Sequence, residues 1–361
     1  MTAAFLSPNA SLPQDPRLSR AAPGSAADPF MDAHGRTVSY VRVSVTDRCN
    51  LRCQYCVCDN PTFTPHEDIL RYEEIAALIA RLRAVGVEKV RLTGGEPFVR
   101  KGFAAFVERL LAADPGLDLR ITTNATLLEP HVERLAAAGV RRINISLDTL
   151  DRAAFARVTG RDLLDHVLRA VEACLGAGIR VKINAVAMRD VNLGRMADFL
   201  HFIRTRPVDM RFIELMPVGH GAQEGRWCSG EEILEAAREH AELTPVPRAR
   251  AATTGPATLY DLRGHAGRLG VITPVSSHFC ATCNRLRITS DGRLRTCLFS
   301  DRTYRLRPIL RHPHLGLEQV VRVVRLAGAS KPIGFNLLQQ AFRDHGGDHG
   351  VCTTGMSSIG G

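Results

Sequence analysis

The sequence predicts an α/β fold: an open, partial (β/α)6 barrel of TIM-like build, followed by a smaller C-terminal region. Three observations predict it. Six short β-rich runs alternate with amphipathic helical stretches between about residues 39 and 216. Glycines stand where several of those helices must stop, and the alternation dissolves after about residue 217.

The strand candidates are 38–46, 89–94, 117–124, 141–148, 180–188 and 209–216, each rich in Val, Ile, Leu and Thr with alternating polar residues. Between them lie helical patterns such as 71–86, where Ile75, Leu78, Ile79 and Leu82 recur at helical spacing, and 131–140. Gly86, Gly139 and Gly178 sit at helix ends, where a left-handed residue is wanted. Successive β-α units imply a parallel sheet, because parallel neighbours need a crossover connection. Six strands fall short of the eight that close a full barrel, so an open one is expected, with functional residues at the strand C-termini. Residues 1–35 read as a disordered leader, 36–216 as the partial barrel and 217–361 as the C-terminal region.

Composition narrows the classes. The chain has 361 residues, 45% apolar and 23% charged, which is the balance of a soluble globular protein with a substantial core. No apolar run reaches the length of a membrane span. The first thirty residues are rich in Ala, Pro and Ser and lack the basic start and compact apolar stretch of a secretory signal. A net charge of +10, mostly arginine, suits nucleic acid, an anionic membrane, a small polyphosphate or simply a solvated surface. The ten cysteines are clustered and not spread as a disulfide scaffold, which points to metal or redox work in the cytoplasm.

Cys49, Cys53 and Cys56 form C-x3-C-x2-C directly after the first strand candidate. Three thiolates on a tight loop can hold three irons of a 4Fe–4S cube and leave the fourth open. Thiolates also suit zinc, with Cys58 as a fourth ligand, and spacing alone leaves that alternative standing. "TGGEP", Thr93 to Pro97, ends the second strand; its glycines read either as a plain βα turn or as a place where backbone approaches a ligand. Together with Tyr55 just before the third cysteine, the loop and "TGGEP" resemble the radical S-adenosylmethionine (SAM) superfamily. That resemblance implies a partial barrel whose open iron chelates the methionine end of SAM, and a one-electron cleavage that yields a 5′-deoxyadenosyl radical.

A second pattern, Cys280, Cys283 and Cys297, follows C-x2-C-x13-C and again has three thiols, with a zinc ribbon as the alternative. Inside it, Arg285 and Arg287 alternate, so an extended segment places both guanidinium groups on one face, in the manner of a phosphate clamp or of a basic surface strand.

With "ITTNATLL", "INISLDTL", "VKINAVAM", "MRFIELMPVG", "CNRLR" and a terminal "GMSSIGG", the chain from about Arg36 to Gly361 resembles, within that superfamily, the GTP 3′,8-cyclase family. The resemblance implies an enzyme of molybdenum cofactor biosynthesis that converts GTP to (8S)-3′,8-cyclo-7,8-dihydroguanosine 5′-triphosphate. Its cofactors would be SAM and two 4Fe–4S clusters, the second carried by the C-terminal region on Cys280, Cys283 and Cys297. Carried over by motif, SAM contacts are Tyr55, Gly95, Ser146 and Met216. GTP contacts are Arg42, Arg91, Thr122, Lys182, Arg285, Arg287 and the backbone of Leu286, with Lys89 and Arg211 as weaker candidates. The terminal Gly360 and Gly361, an ordinary frayed end in isolation, would enter the active site and be needed for cyclisation. Further implications are a cytoplasmic enzyme, an electron donor, hand-over of the product to the next enzyme of the molybdopterin pathway, and no membrane or nucleic-acid partner. A homodimer is left open.

The chain departs from the family in two places. Val57 and Cys58 stand where "MP" is usual, and Cys58 reads as an inert packed thiol, with competition for iron as the alternative. The tail lacks an arginine often found before its "MS". Cys174, Cys228 and Cys352 have no assigned role. Two other readings compete: another radical SAM enzyme with an auxiliary cluster, and a zinc protein whose basic face binds nucleic acid, which the single Trp and five Tyr do little to support.

Overall fold

A computed structural model describes residues 30–56, 62–218, 225–247, 255–345 and 356–359. All six expected strands are present: β1 Tyr40–Ser44, β2 Lys89–Thr93, β3 Asp118–Thr123, β4 Arg142–Ser146, β5 Arg180–Ala187 and β6 Asp209–Glu214. They pair in chain order, each parallel to the next. Helices α1 Tyr72–Ala84, α2 Phe103–Ala113, α3 Val132–Ala137, α4 Arg152–Thr159, α5 Leu164–Gly176 and α6 Met196–Arg204 make the crossovers.

Local chemistry accounts for the helix ends. The Glu74 carboxylate accepts from the Arg71 N–H at the start of α1 (2.7 Å), and Asp151 accepts from the Ala154 N–H at the start of α4 (2.7 Å). Gly86, Gly139 and Gly178 have φ of +97°, +98° and +71°, the left-handed region where a side chain would be strained. Buried Ile75, Leu78, Ile79 and Leu82 of α1 join Val41, Val43, Val90 and Leu92 of the strands in one core between sheet and helices.

The C-terminal region does not build a sheet of its own. After α7 Gly230–Arg238 come β7 Leu243–Pro245, β8 Thr258–Leu262, β9 Arg268–Ile272, β10 Arg285–Ile288, β11 Arg293–Arg295 and β12 Thr303–Arg305. β9 adds parallel to β6 and β10 adds parallel to β1, so the barrel wall has eight parallel strands and not six. Antiparallel β8 and β7 extend one edge and β11 and β12 the other, giving a single sheet of twelve strands. The long-range pair β1–β10 carries no local signal, which is why the sequence pattern stops at six.

Helices α8 Arg307–Arg311, α9 Leu317–Ala329, α10 Gly334–His345 and α11 Met356–Ile359 complete the described fold. The fold also begins earlier than the expected boundary at residue 35. Phe30 is buried against Gly328 of α9, Met31 bridges to Thr37, and Asp32 pairs with Arg36. Among the described residues no helix is long and apolar enough to cross a membrane.

Candidate active site

Strand register orders the site from one barrel end to the other. At the C-terminal end, the chain leaves β1 into the loop bearing Cys49, Cys53 and Cys56. This loop is tied to the turn after β2: the Gly95 N–H donates to the Thr46 carbonyl (2.7 Å) and the Glu96 N–H to the Arg48 carbonyl (2.8 Å). A β-carbon on Gly94 or Gly95 would collide with those carbonyl oxygens. The glycines of "TGGEP" therefore let the chain approach itself, in addition to the ligand approach expected from sequence. Glu96 is fully buried, accepts from the Asn124 N–H (2.6 Å), the Phe98 N–H (3.0 Å) and the Thr123 hydroxyl (2.8 Å), and burial pushes its carboxyl up to about 7.

Burial raises the Cys49 and Cys53 thiols, and for Cys53 the charges of Asp148, Cys56 and Cys49 add to it. Asn124 Nδ2 donates to Cys49 Sγ at 3.7 Å. Tyr55 donates to Asp148 Oδ2 (2.8 Å), and Asp148 Oδ1 accepts from the Val186 N–H (2.8 Å), so one buried carboxylate ties the cysteine loop to β5.

Below this rim the barrel interior is cationic where a packed apolar core is usual. Arg287, Arg42 and Arg91 stand in register on β10, β1 and β2, and Arg120 of β3 continues the row. Asn144 and Lys182 are in register on β4 and β5, opposite Thr122, and Ser146, Asn184 and Arg211 form a further row. Burial first, then neighbouring cations, lowers Arg91 and Arg287 to about 9 and Lys89 and Lys182 to about 8. Burial alone would raise the Tyr40 phenol, but Arg91, Arg42 and Arg285 bring it down to about 7. The Nε atoms of Arg91, Arg211 and Arg287 and Oδ1 of Asn144 are buried with no hydrogen-bond partner. The three guanidinium N–H groups match a polyanion with many acceptor oxygens, while the Asn144 amide oxygen calls for a donor.

The second thiol triplet lies at the opposite, N-terminal end. Cys280 and Cys283 precede β10, while Cys297 follows β11, which runs antiparallel to β10 and returns to the same end. This corrects the expectation that functional residues gather at the strand C-termini: only the first triplet and its neighbours do. About six residues of strand separate the levels of the two triplets, roughly 20 Å along the wall. Cys297 packs with Val218, Phe299 and Ile359. Burial alone would raise the Cys283 thiol, but Lys331, then Arg285 and Arg287, lower it to about 7. The guanidinium of Arg285 lies 4.9 Å from the Phe279 ring centroid.

One cavity of about 320 Å³ joins these parts. Its wall includes all six of these cysteines, the predicted SAM contacts Tyr55, Gly95, Ser146 and Met216, and the predicted GTP contacts Arg42, Arg91, Thr122, Lys182, Arg285 and Arg287. Lys89 and Arg211 line it as well. The Leu286 side chain does not: it is buried in the core on the opposite face of β10, leaving only its backbone available. Gly360, Gly361, Cys58 and Cys352 lie outside the described residues. Cys174 and Cys228 are buried in the apolar core. Sequence reasoning missed Arg120, Asn144, Asp148, Asn184 and Lys331 on the same wall. Period-two parity with Thr122, Ser146 and Lys182 could have found Arg120, Asn144 and Asn184; no motif marks Lys331. A second cleft of about 760 Å³ beside Arg48, Arg100 and Arg311 holds no thiol. Arg100 and Arg311 there donate to backbone carbonyls of Val45, Leu70, Glu67 and Ile69.

Among the described residues no three His, Cys, Asp or Glu side chains converge on one ion. An iron–sulfur cube spreads its ligands more widely than a single ion does, and soft thiolates are the donors such a cube takes. Three thiols at each end of a polar lumen therefore fit two cubes.

An open parallel barrel with a three-cysteine loop after its first strand defines a radical SAM enzyme, and residues 43–203 match the radical SAM superfamily. The fold resembles that of Streptococcus suis SuiB bound to S-adenosylmethionine, with a TM-score of 0.58 at 15% identity over 85% of this chain and 76% of that one. Residues 208–337 match the molybdenum cofactor synthesis C family. The chain belongs to the GTP 3′,8-cyclase family. It is 38% identical over 335 residues to the GTP 3′,8-cyclase of Alkaliphilus oremlandii, covering 91% of this chain and 99% of that protein. To the GTP 3′,8-cyclase of Geobacter sulfurreducens it is 45% identical over 287 residues, 78% of this chain and 86% of that protein. Two 4Fe–4S clusters and SAM are the cofactors of this family and of this enzyme.

Proposed function

We propose that the cavity holds GTP between the two thiol triplets and joins ribose C3′ to guanine C8, giving 3′,8-cyclo-7,8-dihydro-GTP for molybdenum cofactor biosynthesis. The observation that carries this reading is the belt of Arg42, Arg91, Arg287 and Lys182 between two three-thiol ends of one cavity. When bound, the cluster on Cys49, Cys53 and Cys56 together with SAM supplies hydrogen-atom abstraction from unactivated carbon.

The chain's own residues do the rest. Tyr55, Gly95, Ser146 and Met216 surround the SAM end, with Tyr55 held by Asp148. Arg42, Arg91, Lys182, Arg285 and Arg287 face the triphosphate, whose roughly four negative charges offset the mutual repulsion of these cations. Thr122 and the Leu286 backbone supply neutral hydrogen bonds. Cys280, Cys283 and Cys297 would hold the second cluster, whose open iron would supply an anchoring point for the guanine. Fixing base and triphosphate from opposite sides holds the two reacting carbons in range, and such positioning contributes about 7–11 kcal/mol in the best intramolecular cases. Gly360 and Gly361 complete the cavity in this reading; Met356 of the preceding α11 lines it, and Ile359 is buried beside Cys297. An external one-electron donor, and transfer of the product to the next enzyme of the pathway, belong to the same proposal.

The test is anaerobic incubation of reconstituted protein with GTP, SAM and dithionite. The expected products are methionine, 5′-deoxyadenosine and a compound isomeric with GTP, since one hydrogen atom leaves C3′ and one electron and one proton are added. A preparation that takes up only zinc, or makes 5′-deoxyadenosine with no GTP-dependent product, overturns the reading.

A further inference from the structure

The stretch from Lys331 to Phe335, which leads from α9 into α10, touches all three thiols of the second triplet. Lys331 Nζ donates to Cys283 Sγ at 3.4 Å and to the Thr296 carbonyl at 2.7 Å. The backbone N–H groups of Gly334 and Phe335, which open α10, donate to the Cys280 sulfur. A β-carbon on Gly334 would lie 2.7 Å from Cys297 Sγ and 3.2 Å from the Phe299 ring, so nothing larger fits there.

Lys331 is 2% exposed and has no carboxylate partner among the described residues. An ammonium buried without a counter-charge is strongly disfavoured, and the thiolates are the one source of negative charge its partners offer. The position is held from behind. Arg36, paired with Asp32 at 2.5 Å, donates to the carbonyls of Lys331 (3.0 Å), Pro332 (3.2 Å) and Cys280 (2.9 Å), which locks the lysine segment to the cysteine segment.

We propose that Lys331, with the N–H groups of Gly334 and Phe335, forms a positive cap on the thiolates of the second cluster and raises that cluster's reduction potential. Hydrogen bonds to ligand sulfur and nearby positive charge both favour the reduced, more negative state of an iron–sulfur centre. Lys331 is a positioning and tuning residue: it touches a ligand of the cluster and leaves the triphosphate to Arg285, Arg287 and the other lumen cations. The inference rests on the reading that Cys280, Cys283 and Cys297 carry the second cluster.

The experiment is a redox titration of the full-length reconstituted enzyme followed by electron paramagnetic resonance. The second cluster is recognised as the signal that responds to GTP and not to SAM. Lys331→Met is expected to lower its reduced-to-oxidised ratio at a fixed poise at least tenfold, a midpoint shift of about 59 mV or more for one electron. Lys331→Gln, which keeps a donor but loses the charge, should fall between the two. The first cluster's midpoint should not move. Equal midpoints in parent and Lys331→Met, with about eight irons in each, overturn the inference and leave the proposed function standing. Should Lys331→Met lose its second cluster, the midpoint of Lys331→Gln decides, a lowered value supporting the cap and an unchanged one removing it. A parent enzyme with no GTP-responsive cluster would instead defeat the functional reading itself.

Discussion

Arg42 on β1 stands in register with Arg287 on β10, two guanidinium groups side by side across a parallel strand pair inside the barrel. Like charges so placed destabilise a sheet, and Arg91 on the other side of Arg42 extends the conflict. Burial, then neighbouring cations, lowers both Arg91 and Arg287 to about 9, the direction expected of guanidinium groups crowded together away from solvent.

Arg287→Met should therefore separate stability from function. Replacing a buried, unsatisfied cation by an apolar side chain of similar length is expected to stabilise the ligand-free protein by about 1–3 kcal/mol. The same change removes a triphosphate contact and should raise the KM for GTP at least tenfold, with SAM cleavage in the absence of GTP little altered. Urea midpoints and steady-state kinetics check the two halves. A variant that loses stability and keeps its KM would show that Arg287 serves the fold and not the substrate.

Lys182 and Lys89 give the binding step a pH signature. Burial, then a neighbouring arginine, holds each at about 8 in the free protein, below the ordinary lysine value. A bound polyanion raises them again. GTP affinity should be full below about pH 8 and should fall as the pH rises above it, because binding must then take up protons. Calorimetry at pH 8.5 in two buffers of different ionisation heat should register an uptake of about one proton per GTP, reduced in Lys182→Met. Identical heats in both buffers would remove the argument.

The sequence showed the barrel strands because each alternates apolar and polar residues and is bounded by glycine-closed helices. The same parity places Arg42, Arg91, Thr122 and Lys182 on one wall. It could not show that β10 lies beside β1, since that pairing joins residues 285 and 40 with no local trace. For the same reason the general expectation of functional residues at the strand C-termini misses the second triplet, which register puts at the far end. Lys331 was invisible because its partners, Cys283 and Thr296, are brought to it by the fold alone. The reach of the fold back to Phe30 was hidden by the low-complexity segment before it.

Glu74 fixes α8 to α1 through a link that acid should undo. Its carboxylate, 6% exposed, accepts from Arg311 at 2.8 and 3.2 Å and from Arg71 at 3.1 Å. Burial alone would raise the group, but these partners hold it below the usual carboxylate range. A depressed acid contributes stability above its unfolded pKa, about 4.3 for glutamate, and loses it as the pH falls through the folded value. Glu74→Gln should cost about 1–2 kcal/mol at pH 7 and progressively less below pH 4. Urea midpoints of the ligand-free protein at pH 7 and pH 3.5 give the comparison, and a gap that stays constant would mean the ion pair carries none of the difference.

Gly95 tests whether the turn after β2 positions the first cluster. Its N–H donates to the Thr46 carbonyl, and a β-carbon there would run into the Arg48 carbonyl, one residue before Cys49. Backbone cannot yield as a side-chain tip can, so Gly95→Ala must push the cysteine loop away from the turn. The thiols of Cys49, Cys53 and Cys56 would then lose their spacing while the second triplet, at the other end of the barrel, keeps its own. Iron should drop from about eight to about four per chain, SAM cleavage should vanish, and GTP should still protect the folded state against heat, because its cations on β1, β2, β5 and β10 are untouched. Full iron content with normal SAM cleavage in Gly95→Ala would mean that the turn and the cysteine loop move independently, and that the first cluster's geometry is set by the loop alone.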